Sequence, residues 1–243
     1  MIKVEKKIKG VKLNEFWFLK KPKLSEVFRV TSYRNYLGIK PKFMFKDISY
    51  TIEIDLLQSE EEVFSAFKSN FRNEIRKAEK FNFNFKLNDL SYTEFVKFYN
   101  TFASVKKIST LSLSDIKKYN SKNLIFLSAY NEEGELLIVH SYLINGDYAR
   151  LLHSASQIHG LEDKEKRKLI GFFNKRLHWM AILYFKNNSY KVYDWGGYAR
   201  NTENRSLQGI NAFKMSFGGK EKKVINYNSF LFQVIRIIKS LNF

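Results

Sequence analysis

The stretch YDWGGYARNTENRSLQGINAFKMSFGG, which runs from Tyr193 to Gly219, decides the fold of this chain. A strand-like run ends in Asp194, breaks at two glycines and crosses a polar loop. The chain then returns as an apolar turn that carries Lys214 and leads into two more glycines. Glycines at this density mark backbone that turns sharply or comes close to another group. We therefore expect a binding site in this stretch.

The composition is that of a folded protein with an excess of positive charge. Hydrophobic residues make up 44% of the 243 residues and aromatic residues 16%, which suffices for a sizeable core. The 42 basic and 24 acidic residues give a net charge of +18, which predicts an anionic partner: nucleic acid, a membrane surface or a phosphate-bearing small molecule. A compositional origin stays open, since 32 of the basic residues are lysines, a bias that genomic base composition alone can produce.

Several classes of site and segment are missing from the sequence. No cysteine occurs, which excludes disulfides and cysteine-based metal sites. The four histidines lack a carboxylate cluster at metal-ligand spacing, so we expect no metal. The basic N-terminus has no apolar signal-peptide core, and no run approaches the roughly 20 apolar residues that span a bilayer. These features predict a cytoplasmic protein.

The chain is expected to divide into a basic N-terminal segment and one larger domain. Residues 1–46 contain 13 basic and 3 acidic residues, and both prolines, Pro22 and Pro41, lie there. Proline interrupts regular structure, and no later linker is visible. We therefore predict a basic segment over residues 1–48 that packs on a domain over residues 49–243.

Hydrophobic periodicity predicts the helices and strands of the larger domain. Ser59 precedes an acidic first turn and is a typical N-cap, and Ser91 begins a second helical pattern. Further along, the period changes to the alternation of strands, and three of these strands form an antiparallel meander. The predicted helices cover residues 59–81, a stretch from Ser91, a short stretch from Ser112 and residues 166–186. The predicted strands cover residues 49–56, 124–130, 135–144, 147–155 and 189–195.

Three residues near the ends of predicted elements are candidates for chemistry. His153 ends a central strand just before the charged loop that leads to the long helix, where active-site groups often lie; a structural role is its alternative. Asp194 ends the last strand, and capping of the following turn is its alternative role. Lys214 is a lone cation in an apolar stretch, where desolvation is costly without a partner anion. Alternatively, its ammonium reaches the surface.

Two groups of basic residues occupy helical positions that suit anion binding. The N-terminus of a helix attracts phosphate through its free amide groups, although acidic residues partly neutralise the cations at the start of the long helix. The cations there are Lys164, Lys166, Arg167 and Lys168. The helix over residues 59–81 carries a cationic stripe with a period of four that includes Arg72 and Arg76. A solvated face is the alternative interpretation of this stripe.

Three motifs resemble those of one known family. NEIRKAEKF from Asn73, YDWGG from Tyr193 and GINAFKMSFGG from Gly209 are similar to the Fem-type, peptidoglycan peptidyltransferase-like branch of the GNAT acyltransferase superfamily. The resemblance covers residues 50–220. It implies an α+β fold, with a GNAT-like mixed, largely antiparallel central sheet flanked by helices.

The resemblance implies acyl transfer and leaves the substrates as alternatives. Members of the peptidoglycan branch are similar in moving an aminoacyl group from tRNA to a cell-wall precursor, whereas other GNAT enzymes use acyl-coenzyme A. That branch generally carries two tandem GNAT domains, while residues 1–48 are the only ones before the recognisable domain here. We therefore expect an N-acyltransferase that moves an acyl group from acyl-CoA, as a co-substrate, to the amine of a nucleotide-linked amino sugar for surface-glycan synthesis. No permanently bound cofactor is expected. Aminoacyl transfer from charged tRNA is the second interpretation.

The resemblance also implies roles for the candidate residues. Amide formation needs a neutral amine, a carbonyl held close to it and stabilisation of an oxyanion. Asp194 or His153 would act as the base, and Lys214 would meet the oxyanion, a phosphate or a carboxylate. The strands that end at His153 and Asp194 would be neighbours that splay apart to admit the donor, whose phosphates would contact the four cations of the long helix. The acceptor would contact Arg72, Arg76, Gly196, Gly197 and Tyr198.

A third interpretation is a non-catalytic protein that binds nucleic acid or a membrane through its basic segment. The C-terminal stretch SFLFQVIRIIKSLNF is too short to span a bilayer, but its apolar residues, with Arg236 and Lys239, suit a peripheral membrane contact over residues 229–243. Packing of this stretch against the core is the alternative that we favour. RNA binding that weakens steeply with salt, without binding of CoA, would distinguish the tRNA and non-catalytic interpretations from the acyl-CoA one.

Overall fold

The computed structural model describes residues 1–8, 10–157 and 162–240, so parts of the loop before the long helix and of residues 229–243 lie outside the described residues. The strands are β1 (Ile2–Ile8), β2 (Val11–Trp17), β3 (Thr31–Arg34), β4 (Phe45–Asp55), β5 (Asn84–Leu87), β6 (Leu124–Tyr130), β7 (Leu136–Asn145), β8 (Tyr148–Ser156), β9 (Val192–Gly197) and β10 (Lys220–Asn228). The helices are α1 (Glu60–Ser65), α2 (Ser69–Ala78), α3 (Tyr92–Lys106), α4 (Leu113–Lys117), α5 (Lys164–Asn187), α6 (Arg205–Met215) and α7 (Phe230–Ser240).

The chain forms two compact units. The first consists of Met1–Thr51 and Lys222–Phe243, and the second of Ile52–Glu221. The division into residues 1–48 and 49–243 that we expect from the sequence stays a prediction. Among the described residues, no helix is both long enough and apolar enough to cross a bilayer.

The first unit is built on strands that the sequence periodicity did not reveal. β1 pairs antiparallel with β2, β2 pairs parallel with β3, and β3 pairs antiparallel with β10. Aromatic rings fill its core: the ring centre of Tyr33 lies 5.7 Å from those of Phe16 and Tyr36, and Tyr36 lies 5.3 Å from Tyr227. Each such ring buries a large apolar area, which is how a segment so rich in lysine folds.

The second unit holds the sheet that the resemblance implied. Its strand order is β4-β9-β8-β7-β6-β5, in which β5 to β8 are successive antiparallel neighbours and β8 and β9 are parallel. One face is covered by α5, where His140 of β7 bonds to Asn174, and the other by α3, where the ring of His153 packs on Tyr99. The predicted fold class is confirmed, and the meander over β6, β7 and β8 lies within one residue of its predicted bounds.

The single helix predicted from Ser59 to Phe81 is wrong, because the chain there forms two helices, α1 and α2. The predicted N-cap at Ser59 is present and forms a capping box with Glu62 at the N-terminus of α1. The backbone is extended at Lys68, whose amide donates to the carbonyl of Ser216 at 2.9 Å. This break allows the ring of Phe67 to pack 5.0 Å from that of Phe217. Tertiary packing therefore outweighs the helical periodicity at this point.

The polar loop predicted after the first glycine pair covers residues 198–204, but the apolar turn predicted after it is wrong, because α6 begins at Arg205 and includes Lys214. The side chain of Asn204 caps α6, accepting hydrogen bonds from the amides of Ser206 and Leu207 at 2.9 and 3.2 Å. The inner side of the helix is aromatic where it meets the core. Apolar residues also lie on its exposed side, namely Leu207, Ile210 and Met215, so no single apolar stripe indicated a helix.

Candidate active site

The site begins where the parallel strands β8 and β9 stop pairing. The ladder between them joins Tyr148 with Val192, Ala149 with Tyr193 and Arg150 with Asp194. Both strands continue beyond this ladder, β8 to Ser156 and β9 to Gly197. The two strands that carry His153 and Asp194 are therefore neighbours, while their splaying to admit a donor stays a prediction.

Asp194 lies fully buried at the last pair of this ladder. Its neighbours Tyr193 and Trp195 both contact His178 of α5, so Asp194 projects from the opposite face of the sheet. One carboxylate oxygen accepts a hydrogen bond from the guanidinium of Arg150, and the other accepts from the amide of Gly196 at 2.8 Å. The carboxyl group is thus fixed in place by an ion pair and by a hydrogen bond from the backbone.

Lys214 lies near this pair, in the last turn of α6. Its Nζ donates to the carbonyl of Gly197 at 2.6 Å, which ties the helix to the end of β9. Burial lowers the pKa of Lys214 to about 8, with a further lowering from Arg150 and an opposing effect from Asp194. The ammonium therefore prevails at pH 7 but is close to losing its proton. The residue is half-buried, and the role of Lys214 in the transfer stays a prediction.

The glycines shape the backbone around these groups. Gly196 has a φ of +74°, and a Cβ at this position would lie 2.9 Å from the carbonyl oxygen of Leu151 in β8. No other residue fits there without strain. The loop that follows is held against α6, because the side-chain amide of Asn211 bonds both the N–H and the carbonyl of Ala199.

His153 lies on the same face of the sheet as Asp194, three residues beyond Arg150 along β8. Its Nδ1 bonds to the hydroxyl of Ser141 at 2.8 Å, and its ring centre lies 5.3 Å from that of Tyr99 in α3. Burial lowers the pKa of His153 to about 4, so the imidazole is neutral at pH 7. A neutral imidazole can accept a proton, but this one binds it weakly.

A cavity of about 570 Å³ opens on the same side, between α3 and the ends of β7 and β8. It adjoins the His153 environment, since the ring of Phe102 in its wall lies 6.2 Å from that of Tyr99. Its walls are mainly apolar, with a few polar groups at the end of β8. The lining includes Phe98, Phe102, Val105, Leu136, Ser156 and Gln157.

The four cations predicted to bind donor phosphates lie in the first turns of α5. The carboxylate of Asp163 accepts from two amides at this helix N-terminus. Lys166 lies 3.8 Å from Glu135, and Lys168 lies 3.5 Å from Glu165. These carboxylates partly neutralise the cations, and the role of Lys164, Lys166, Arg167 and Lys168 in binding donor phosphates stays a prediction.

The two arginines predicted to bind the acceptor make contacts within α1 and α2. Arg72 donates to the carbonyls of Ser65 and Phe67 and so caps the end of α1. The guanidinium of Arg76 lies 5.4 Å from the ring centre of Phe64. Their role in acceptor binding, with that of Gly196, Gly197 and Tyr198, stays a prediction.

Sequence reasoning missed two features of the site region. Arg150, the partner of Asp194, is the one cation in the run YARLLHSA, and its position inside a strand was the available signal. The second feature is a chain of buried side chains on the α5 face, which periodicity treats as ordinary core. Its members are Asn174, His140, Tyr142, Tyr193 and His178. Among the described residues, no three carboxylates or histidines come together as a metal site would need.

The fold is similar to that of several solved structures. FemX matches with 12% identity and a TM-score of 0.67, over 97% of this chain and 85% of FemX. L-PGS from Bacillus licheniformis matches with 9% identity and a TM-score of 0.57, over 93% of this chain and 80% of L-PGS. The C-terminal domain of a protein assigned as a lysylphosphatidylglycerol synthetase, from Agrobacterium fabrum, matches with 8% identity and a TM-score of 0.51, over 82% of this chain and 68% of that domain. No family model matches the sequence, and no curated protein is a recognisable relative of it. The likeness to FemX shows that the two chains share a fold, in agreement with the fold that the sequence resemblance implied.

Proposed function

We propose that this protein transfers an acyl or aminoacyl group to an amine. The observation that carries the proposal is the end of the β8–β9 ladder at a buried Arg150–Asp194 ion pair, with Lys214 held beside it. We place the donor at the sheet edge where this ladder ends. A nearby ammonium offers charge where an oxyanion would develop. The likeness to FemX supports a fold in which such a transfer occurs.

The proposed chemistry uses His153, Lys214 and the Arg150–Asp194 pair. The amine nitrogen attacks the carbonyl carbon of the donor, a C–N bond forms, and the C–S bond of a thioester or the C–O bond of an aminoacyl ester breaks. The ammonium of Lys214 stabilises the oxyanion. His153 takes the amine proton on the ring nitrogen that is not bonded to Ser141 and passes it to the leaving group. Asp194 has both oxygens bonded, so it acts as a positioning residue for Arg150 and Gly196.

The acceptor that we propose is the amine of a nucleotide-linked amino sugar, and acyl-CoA is the proposed donor. The alternative donor, an aminoacyl-tRNA, is favoured by the likeness to FemX over nearly the whole chain. Both donors present an activated carbonyl on a long anionic carrier. The basic excess of the chain, +18, is compatible with either carrier.

The test is a comparison of donors. A ligand that binds only the folded state raises the melting temperature by mass action, and a 100-fold excess over Kd stabilises by about 2.7 kcal/mol. We expect acetyl-CoA to raise the melting temperature, and mass spectrometry to detect acetyl transfer to a UDP-linked amino sugar. Alanyl-tRNA is the parallel arm, with uncharged tRNA as its control. If neither donor stabilises the protein and neither yields product with any amine offered, acyl transfer is wrong.

A further inference from the structure

We infer that the first unit docks on the surface of an anionic lipid bilayer through the outward face of α7. The inference goes beyond the proposed transfer reaction and does not depend on it. It rests on the direction in which α7 presents its apolar side chains, on the aromatic residues around its first turn, and on the charge of the unit.

The helix α7 is amphipathic, but most of its large apolar residues point to solvent. Phe232 is buried, with 9% of its surface exposed. At 100° per residue, Phe230, Leu231, Val234, Ile237 and Ile238 fall within an arc of about 120° on the other side of the helix. The exposed fractions are 61% for Phe230, 41% for Leu231, 57% for Ile237 and 49% for Ile238. If α7 only packed against the core, this apolar face would be buried.

Two further phenylalanines extend this face at the start of α7. The ring of Phe45 in β4 lies 6.4 Å from that of Phe230 and is 49% exposed. Phe28 is 75% exposed, and the next residue, Arg29, accepts a hydrogen bond on its carbonyl from Ser229 at 2.6 Å. We call the residues Phe28, Phe45, Phe230, Leu231, Ile237 and Ile238 the α7 patch. Exposed apolar surface of this kind marks an interaction site.

The unit that carries the α7 patch also carries most of the charge. Met1–Thr51 and Lys222–Phe243 together hold 17 basic and 4 acidic residues, so +13 of the net charge of +18 lies here. Each of the four acidic residues is already within 4.0 Å of a cation of the same unit. Exposed lysines also occur in the loops on either side of β3, at positions 20, 21, 23, 40 and 42, and at position 46 in β4. The uncompensated charge complements an anionic surface.

Of the possible anionic partners, a lipid surface fits both the exposed apolar residues of the α7 patch and the positive charge of the unit. Phosphate backbones of RNA would use the lysines but gain nothing from exposed phenylalanine and isoleucine on one helical face. In an interfacial helix the apolar face enters the boundary of the acyl chains while cations meet the headgroups. The 11 residues of α7 span about 16 Å at 1.5 Å per residue, which suits lying in the interface and not crossing the roughly 30 Å core.

The experiment measures co-sedimentation of the full chain with vesicles of phosphatidylcholine alone or with phosphatidylglycerol. We expect binding to the anionic vesicles, at least tenfold weaker binding to the neutral ones, and weaker binding in high salt. Phe230→Asp should reduce binding to anionic vesicles tenfold or more. Gln233→Asp adds the same charge one turn away, outside the apolar arc, and should reduce binding less than threefold. An acidic residue in a first helical turn is favourable, so both variants should fold.

Three results would overturn the inference. The first is absence of binding to both kinds of vesicle by the unaltered protein. The second is an equal loss of binding in Phe230→Asp and Gln233→Asp. Binding would then depend on charge alone, which is the behaviour expected of an RNA-binding surface. The third is a dimer that Phe230→Asp converts to a monomer while vesicle binding is unchanged, because a second copy would then cover the α7 patch. Transfer from acetyl-CoA to a soluble amine should stay the same in both variants, which separates this inference from the proposed activity.

Discussion

The two faces of strands β7, β8 and β9 bury polar groups in opposite ways. Towards α5, a chain of neutral side chains bonds through the core: Asn174 to His140 at 3.0 Å, His140 to Tyr142 at 3.1 Å, Tyr142 to Tyr193 at 3.1 Å and Tyr193 to His178 at 3.2 Å. Towards the opposite face, the same strands carry the Arg150–Asp194 ion pair. The two sets differ in charge although both are buried.

The difference shows which set suits chemistry. Burial lowers the pKa of His140 to about 4 and that of His178 well below its usual range, and it raises the pKa values of both tyrosines. Every member of the neutral chain is therefore uncharged at pH 7 and finds its partner inside the core, which is the arrangement of a structural network. The other face keeps opposite charges and a lysine with a pKa of about 8 beside the place where the strands stop pairing. Tuned charges of this kind are typical of functional sites.

The largest effect should come from breaking the ion pair. Arg150→Met would leave the carboxylate of Asp194 buried without its cation, and loss of one partner of a buried pair costs about 3–5 kcal/mol. We expect the free energy of unfolding in urea at pH 7 to fall by this amount. Arg150→Lys keeps the charge and should lose clearly less. A loss below about 1 kcal/mol in Arg150→Met would mean that Asp194 does not depend on the pair.

The second effect is on rate. Lys214→Met keeps the apolar stem but removes the ammonium, so turnover should fall by roughly 10²-fold while the melting temperature changes little. Because the pKa of Lys214 is about 8, the rate of the unaltered protein should decline as pH rises through about 8 and the ammonium loses its proton. Lys214→Met should lack this decline. An unchanged rate would remove Lys214 from the site.

The second unit was largely predictable from the sequence because its signals are local. The alternation from Leu124 to Ser156 and its two tight turns suffice for β6, β7 and β8, since each strand pairs with the next. The strands of the first unit were not predictable in this way. β3 pairs with β10 across nearly the whole chain, as in the pairing of Ser32 with Asn228, and no local pattern indicates a contact at that separation.

Two charged residues of the candidate site were predictable from the sequence, but the ion pair between Arg150 and Asp194 was not. Asp194 and Lys214 stand out in the sequence because each is a charged residue beside glycines or apolar residues. Arg150 does not stand out, because its role as the partner of Asp194 depends on the register of the parallel ladder that places it opposite Asp194. The break between α1 and α2 escaped for the same reason: it follows from a contact with Phe217, which lies about 150 residues further along the chain.

A third prediction concerns the loss of stability at acidic pH. The pKa of His140 is about 4 in the folded protein and 6.5 ordinarily, so the unfolded chain binds the proton first as pH falls. The stability that depends on neutral His140 is complete above pH 6.5 and is lost between pH 6.5 and about 4, with a loss of about 2 kcal/mol by pH 5. Urea unfolding at pH 7 and pH 5 measures it. His140→Gln should be less stable at pH 7 but should lose less on acidification; an equal acid loss in this variant would assign the effect to other groups.

The smallest effect should come from the middle of the neutral chain. Tyr193→Phe removes the hydroxyl that joins Tyr142 to His178 and keeps the ring packed 5.1 Å from that of Trp195. The lost hydrogen bonds should lower the free energy of unfolding by about 1 kcal/mol. Turnover should stay within about twofold of the unaltered protein, because Tyr193 projects to the α5 face, away from Asp194. Urea unfolding and steady-state kinetics on the same preparation measure both quantities. A large loss of rate with unchanged stability would show that the neutral chain takes part in the chemistry, and the distinction between the two faces would be wrong.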